Sequence, residues 1–135
     1  MTDAFWSSLT RDLPPEARPL FERLRQTEEV IPPKRLASEV KSYFALVEAT
    51  GADSPHVAVD RARELTNSLF GLLKTLRRSG PREHHLAVQA ACRYFTSEYD
   101  GEDDMESLDG FDDDVEVMNA VAEATGHEEL MIDLW

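Results

Sequence analysis

The 135-residue sequence predicts an all-α protein, a compact bundle of five or six helices with an acidic loop before the last main helix. Apolar residues recur every three or four positions over most of the chain, as in helices that bury one face. No stretch of useful length alternates apolar and polar residues as a strand does, and no repeat with a period of 20–50 residues is present. Proline and glycine separate the periodic stretches. We therefore expect residues 1–135 to form a single helical domain.

Two short helices are predicted at the N-terminal end. The first runs from Asp3 to about Leu9, and Asp3 suits the positive end of the helix dipole. The second opens at Pro14, because proline favours the first turn of a helix, and runs to about Thr27. The apolar faces of these two helices are formed by Phe5, Trp6, Leu9, Leu20, Phe21 and Leu24.

Two longer helices follow. The third is predicted from Lys34 to Gly51, and the fourth begins at Ser54, a capping residue that precedes a proline. We expect Arg77 in the last turn of the fourth helix, where a positive charge complements the dipole. The apolar seam of the fourth helix steps by four and three residues, which predicts burial of one face. This seam consists of Ala58, Ala62, Leu65, Leu69, Leu72 and Leu76.

The fifth helix, predicted from Pro81 to Thr96, has two adjacent apolar faces and several small residues, so we place it near the centre of the bundle. The acidic loop covers residues 97–111. The sixth helix begins near Asp112, where three consecutive acids suit a helix N-terminus, and Gly126 marks its end. Its buried face is predicted to contain Val115, Met118, Val121 and Ala122.

The charge is distributed unevenly along the chain. Residues 1–97 contain all 14 Lys and Arg together with 12 acids, whereas residues 98–135 contain 15 acids and no Lys or Arg. This pattern predicts either a solvated acidic face or an interaction region, and it argues against nucleic-acid binding by phosphate neutralisation. Basic residues near the fourth helix are expected to pair with the acidic region of the same molecule. They are Arg61, Arg63, Lys74, Arg77, Arg78 and Arg82.

The remaining sequence features favour a cytoplasmic protein that does not associate with membranes. No apolar run approaches the roughly 20 residues of a membrane span, and the N-terminus lacks the basic and apolar regions of a secretory signal. The single cysteine, Cys92, cannot form an intramolecular disulfide and is expected to be a small buried apolar residue. His84 and His85 are expected to be a surface pair, because adjacent helical residues point in different directions.

The acidic loop is the candidate cation site, since Ca²⁺ and Mg²⁺ prefer several carboxylate oxygens. On the EF-hand template, residues 105–116 place Met105 where an aspartate is needed, so a looser arrangement of acids fits better. The alternative is helix capping with solvated charge. The candidate ligands are Asp109, Asp112, Asp113 and Glu116.

The C-terminal segment, residues 127–135, has five large apolar residues among its last six. Such a segment either folds back onto the bundle or serves as a docking peptide, with Trp135 as its anchor. The flanking acids would then provide steering and specificity. The candidate partner-binding residues are Leu130, Met131, Ile132, Leu134 and Trp135, together with Asp112, Asp113 and Asp114.

Residues 86–121 contain a helix that ends in an aromatic pair, an acidic turn, and a Gly-Phe-Asp-Asp-Asp element that opens the next helix. This order resembles the YkvA-like family of small bacterial domains of unknown function. Asp100 matches the first acid of the family's turn, Asp103 or Asp104 the second, and residues 110–114 the element that follows. The family's proline is missing, and a polar loop replaces its apolar helix. The resemblance implies a small bacterial α-helical domain and brings no activity with it.

No nucleophile elbow, P-loop, dinucleotide fingerprint or zinc-protease motif is present in the sequence. We therefore expect a non-enzymatic protein–protein interaction module, an adaptor or regulatory subunit. It would use the acidic region 98–116 and the apolar C-terminus against a partner with a basic or apolar groove. Two alternatives stay open: an acidic inhibitor or immunity-type protein that binds a basic target, and a protein that binds Ca²⁺ or Mg²⁺ through the acidic loop.

Overall fold

The computed structural model describes residues 2–26, 29–53, 59–77, 80–97 and 111–133. These residues form six α-helices and two 3-10 turns, with no strand among them, which confirms the predicted all-α bundle. The 3-10 turns cover Pro15–Ala17 and Glu128–Leu130. The helices are α1 (Thr2–Asp12), α2 (Arg18–Arg25), α3 (Pro33–Asp53), α4 (Val59–Thr75), α5 (Arg82–Thr96) and α6 (Asp112–Ala124).

Helix α5 lies at the centre of the bundle, as predicted. It packs against α2, α3, α4 and α6. Its small residues Ala87, Ala90 and Ala91 are buried and permit close approach of these neighbours, while Tyr94 and Phe95 fill the core at its C-terminal end. None of the helices in the described ranges has both the length and the apolar character needed to cross a bilayer.

Two predicted boundaries near the N-terminal half were wrong. The segment after Pro14 first forms the 3-10 turn, and α2 begins at Arg18. Pro19 then lies in the first turn of α2, where its missing N–H leaves no helical hydrogen bond unmade. Helix α3 continues through Gly51 to Asp53, since a glycine in a last turn costs only about 1 kcal/mol of propensity.

The end of α4 also differs from the prediction. The helix stops at Thr75, so Arg77 lies beyond its last turn, and Lys74 is the basic residue within that turn. The Leu76 N–H bonds the Leu73 carbonyl at 3.3 Å, a tightening that often closes a helix. The predicted start at Ser54 lies outside the described residues, whereas the predicted seam from Ala62 to Leu72 is buried.

Helix α6 is fixed at both ends in a way that positions the C-terminal segment. Phe111, directly before the helix, is fully buried and packs on Phe95 with ring centroids 5.9 Å apart. At the other end Gly126 adopts a φ of 82°, a left-handed conformation that glycine tolerates. The His127 N–H then bonds the Ala122 carbonyl at 2.7 Å, which closes the helix. This turn sends the C-terminal segment back along the bundle.

Candidate functional site: an acidic surface

The three acids at the start of α6 do not share one environment. Asp112 and Asp113 are half-buried, whereas Asp114 is 2% exposed. Successive helical residues point about 100° apart, so three consecutive side chains cannot all lie on one face. The prediction that Asp114 contributes to a partner-binding surface was therefore wrong, because its side chain belongs to the interior. The predicted helix start at Asp112 is correct.

The 3-10 turn before α2 brings another carboxylate to this end of α6. Glu16, from the first 3-10 turn, lies beside Asp113 and Glu116, and one carboxylate oxygen of each lies within 4.8 Å of the others. Asp113 and Glu116 are three positions apart and so share a helix face. We call the group of Glu16, Asp112, Asp113 and Glu116 the acidic surface. It contains three of the four predicted cation ligands, and the fourth, Asp109, lies outside the described residues.

The crowding of acids changes the protonation of Glu116. Burial raises its pKa above the ordinary value of 4.5, and the negative charges of Glu16 and Asp112 raise the pKa further. A raised carboxyl pKa means that the ionised form is disfavoured in the folded protein. A cation placed among these carboxylates would oppose that effect.

Arg61, in the first turn of α4, connects the acidic surface to the C-terminal segment. Its Nε lies 4.0 Å from the Asp112 carboxylate, and its Nη1 donates to the Asp133 carbonyl at 2.9 Å. The expected pairing between basic residues of the fourth helix and the acidic region is thus present at Arg61. Arg63 instead pairs with Glu48 and Asp60.

The C-terminal segment is docked on the bundle as far as it is described. The side-chain amide of Asn119 accepts from the Ile132 N–H and donates to the Ile132 carbonyl, both at 2.8 Å. Ile132 is 8% exposed. Leu130 packs over Gly71 of α4, where a Cβ atom would lie 2.8 Å from Leu130 Cδ2, so glycine makes room for it.

This arrangement corrects part of the predicted partner-binding set. Leu130 and Ile132 are occupied by contacts within the chain and are not presented to a partner. Met131 points outwards and is 41% exposed. Leu134 and Trp135 lie outside the described residues, as do Asp100, Asp103, Asp104 and Gly110 of the family-like pattern.

The other reactive side chains have structural contacts. His84 stacks on Phe5 at 5.1 Å between ring centroids, whereas His85 donates to the Ile31 carbonyl at 2.8 Å. The two imidazoles therefore face different partners, as expected for neighbours on a helix. Burial raises the pKa of the Cys92 thiol to about 12, and the negative charge of Glu39 acts in the same direction, so this thiol is not a nucleophile at neutral pH.

A polar network joins α1 to α2. Glu22 accepts from the Thr10 hydroxyl at 3.0 Å and from Arg25, whose Nη2 lies 2.8 Å away. The Arg25 guanidinium also covers the Trp6 ring at 4.6 Å from its centroid. Burial alone would raise the pKa of Glu22, but the hydrogen bonds from Arg25 and Thr10 outweigh it and lower that pKa. These contacts hold two helices together and leave Glu22 ionised.

Two residues of the site were missed by the sequence analysis. Glu16 belongs to a turn about a hundred positions away from Asp113, and no local pattern links them. Asn119 did leave a signal, because it lies four positions after Val115 and three before Ala122, on an otherwise apolar face. A polar residue at a core-facing position requires a hydrogen-bonding partner.

No protein-family model, no curated protein and no solved structure matches the chain. The resemblance of residues 86–121 to the YkvA-like family therefore stays a prediction, and the function has to be argued from the geometry of this chain.

Proposed function

We propose that this protein is a non-enzymatic interaction module that binds a basic patch of a partner protein through its acidic surface. The observation that carries the proposal is the convergence of Glu16, Asp113 and Glu116 within 4.8 Å. Two like charges at this separation repel by about 1 kcal/mol in a water-like dielectric, and by more near a protein surface. A lysine or arginine from a partner would remove this repulsion on binding.

The described part of the C-terminal segment supplies an apolar contact next to these charges. Arg61 bridges Asp112 and the backbone of Asp133, so the exposed Met131 lies two residues from this bridge. Methionine adapts readily to different apolar surfaces. A partner with basic side chains beside a shallow apolar groove would therefore fit this part of the molecule. The negative charge of the acidic surface would mainly increase the rate and selectivity of association with such a partner.

Affinity capture with matched charge variants tests the proposal. The full chain is immobilised and exposed to lysate of the source organism, and bound proteins are quantified by mass spectrometry. The test variant neutralises the three converging acids of the acidic surface and carries Glu16→Gln, Asp113→Asn and Glu116→Gln. We call these three acids the cluster and this protein the cluster variant. The control variant removes the same charge from exposed positions outside the cluster and carries Glu48→Gln, Glu64→Gln and Glu123→Gln.

We expect basic proteins that are captured by the wild type and the control but lost with the cluster variant. Their binding should weaken as salt is raised from about 0.05 to 0.5 M, because exposed charge pairs are screened. Equal capture by all three proteins contradicts the proposal. An inhibitor or immunity-type function is the special case in which the captured protein is a basic enzyme whose activity falls on binding.

The same cluster favours a second candidate function, binding of Ca²⁺ or Mg²⁺. Glu16, Asp113 and Glu116 each bring one carboxylate oxygen within 4.8 Å of the others, and Ca²⁺ prefers several carboxylate oxygens as ligands. Thermal unfolding is followed with each chloride salt up to about 10 mM, against potassium chloride of equal ionic strength. A rise in Tm for the wild type and the control, absent in the cluster variant, supports a cation site. An unchanged Tm removes this candidate and leaves the protein-binding proposal intact.

A further inference from the structure

A pocket of about 330 Å³ lies between the start of α3, the end of α4 and the start of α5. Among the described residues, its lining combines apolar side chains with two guanidinium groups and an imidazole, and includes no Asp or Glu. The lining side chains include Val30, Pro33, Leu76, Arg77, Arg82 and His85. Arg61 at the acidic surface and Arg77 at the pocket lie at opposite ends of α4, which is about 25 Å long. The pocket is therefore separate from the acidic surface.

One wall of the pocket is held rigidly by a buried amide. Gln89 of α5 is fully buried, accepts from the Ile31 N–H at 2.8 Å and donates to the Glu29 carbonyl at 2.9 Å. His85 adds a third hydrogen bond, to the Ile31 carbonyl at 2.8 Å. Val30 lies between these tethered residues with a side chain that is 37% exposed. The apolar wall is thus formed before any ligand arrives, which lowers the entropic cost of binding.

The basic groups of the pocket define the charge of a ligand. Within the described part of the chain, the Arg77 guanidinium has no hydrogen-bond or ion-pair partner, so its donors are available. Arg82 also lines the pocket, but it already takes part in another interaction. Guanidinium groups bind carboxylates through paired, parallel hydrogen bonds. A cavity with an apolar wall, an available guanidinium group and no acid among its described lining residues complements a molecule with an apolar body and an anionic head.

We propose that this pocket binds a small amphiphilic carboxylate, with its carboxylate at Arg77 and its apolar chain against Val30, Pro33 and Leu76. The volume sets the size of the apolar body. A water molecule occupies about 30 Å³ in the liquid and a methylene is of similar size, so 330 Å³ corresponds to about ten carbons. The pocket lies within the size range of small-molecule sites. This activity is additional to the proposed protein binding.

Calorimetric titration of the full chain with decanoate, kept below 1 mM, tests the proposal. We expect saturable binding at one site, weakened about fivefold by Arg77→Gln. Arg23→Gln is the matched control, since Arg23 is an exposed arginine outside the pocket, and it should leave the affinity unchanged. Decanol should bind more weakly than decanoate, and decyltrimethylammonium should not bind.

A second pair of variants tests the apolar wall without touching the arginines. Val30→Glu places a negative charge at an exposed position of the wall and should reduce decanoate affinity at least tenfold. Leu46→Glu makes the same change at an exposed leucine of α3 that does not line the pocket and should have no effect. Absence of saturable binding overturns the proposal. So does equal affinity for decanoate and decanol, or equal loss in both glutamate variants.

Discussion

Replacing Asn119 by alanine tests whether the C-terminal segment belongs to the folded core or is a detachable docking peptide. In the structure the Asn119 amide makes two hydrogen bonds of 2.8 Å to the backbone of Ile132. Each contributes about 1 kcal/mol net, so their loss destabilises the fold by about 2 kcal/mol. Alanine is the better helix former by up to about 0.7 kcal/mol, which offsets part of this loss. We therefore expect a net destabilisation of about 1.5 kcal/mol.

A matched variant isolates the contribution of helix propensity. Asn67→Ala makes the same substitution at an exposed position of α4 and should stabilise the protein slightly, by about 0.5 kcal/mol. Urea denaturation gives both free energies of unfolding, and the difference between the variants should be about 2 kcal/mol. Hydrogen exchange provides a second readout, because the Ile132 amide should exchange slowly in the wild type and rapidly in Asn119→Ala.

Coupling between Asn119 and Ile132 completes the test. Ile132→Ala weakens the apolar contact of the same segment and keeps the backbone groups that Asn119 binds. Because either change undocks the same segment, the double variant should be less destabilised than the sum of the two single variants. If Asn119→Ala behaves like Asn67→Ala and the Ile132 amide exchanges rapidly in the wild type, the segment is not docked in solution. In that case the reading of residues 127–135 as a docking peptide is restored.

Three further predictions follow from the titratable groups. The pKa of Glu116 is raised in the folded protein, so ionisation of this residue destabilises the fold once the pH exceeds the unfolded-state pKa of 4.5. Glu116→Gln should therefore raise Tm at pH 7 and leave it unchanged below about pH 4. Thermal denaturation across pH checks this, and an equal gain at both pH values contradicts it. Cys92 should react with a thiol reagent such as dithiobis(nitrobenzoate) only after denaturation, and rapid reaction of the native protein would refute its burial. Thr10→Val should destabilise the protein by about 0.5–1 kcal/mol at pH 7, because it removes the hydrogen bond to Glu22. The effect should shrink as the pH falls through the lowered folded pKa of Glu22, and an effect that stays constant down to the acid unfolding of the protein would contradict this.

The sequence predicts the helices of this protein well because their signals are local. The start of α6 at Asp112 follows from the acids that suit a helix N-terminus, and its end follows from Gly126. The central position of α5 follows from its two apolar faces. The boundary at Gly51 was misplaced because glycine weakens a helix by only about 1 kcal/mol and does not by itself end one.

The composition of the acidic surface could not be predicted from local sequence patterns. The acidic run at 112–114 is visible in the sequence, but the burial of Asp114 depends on how α6 is rotated against the core. Phe111 fixes that rotation through its packing on Phe95. The approach of Glu16 depends on the placement of a 3-10 turn at the other end of the chain. Neither relationship has a periodicity or a motif that a single sequence displays.

Polar residues within apolar stretches carry more information than the sequence analysis used. Gln89 lies among the apolar residues of α5, and Asn119 lies on the buried face of α6. A buried amide without partners costs free energy, so each such residue predicts a specific hydrogen-bonding group nearby. The partner itself could not be predicted, because residues 29–31 and 132 reach these amides only through the tertiary fold.

The side-chain amides of Gln89, which is buried, and Asn119, which is half-buried, solve the same physical problem. An extended segment that packs on a helix presents N–H and C=O groups that need partners, and no strand is available among the described residues to supply them. A side-chain amide carries both a donor and an acceptor, so a single Asn or Gln can satisfy an N–H and a C=O of the segment at once. Gln89 does this for residues 29 and 31, and Asn119 does it for residue 132. Each amide thereby fixes the backbone while leaving one neighbouring apolar side chain outside the core: Val30 at the pocket and Met131 in the C-terminal segment. The exposure of these two side chains is therefore a consequence of how the segments are attached.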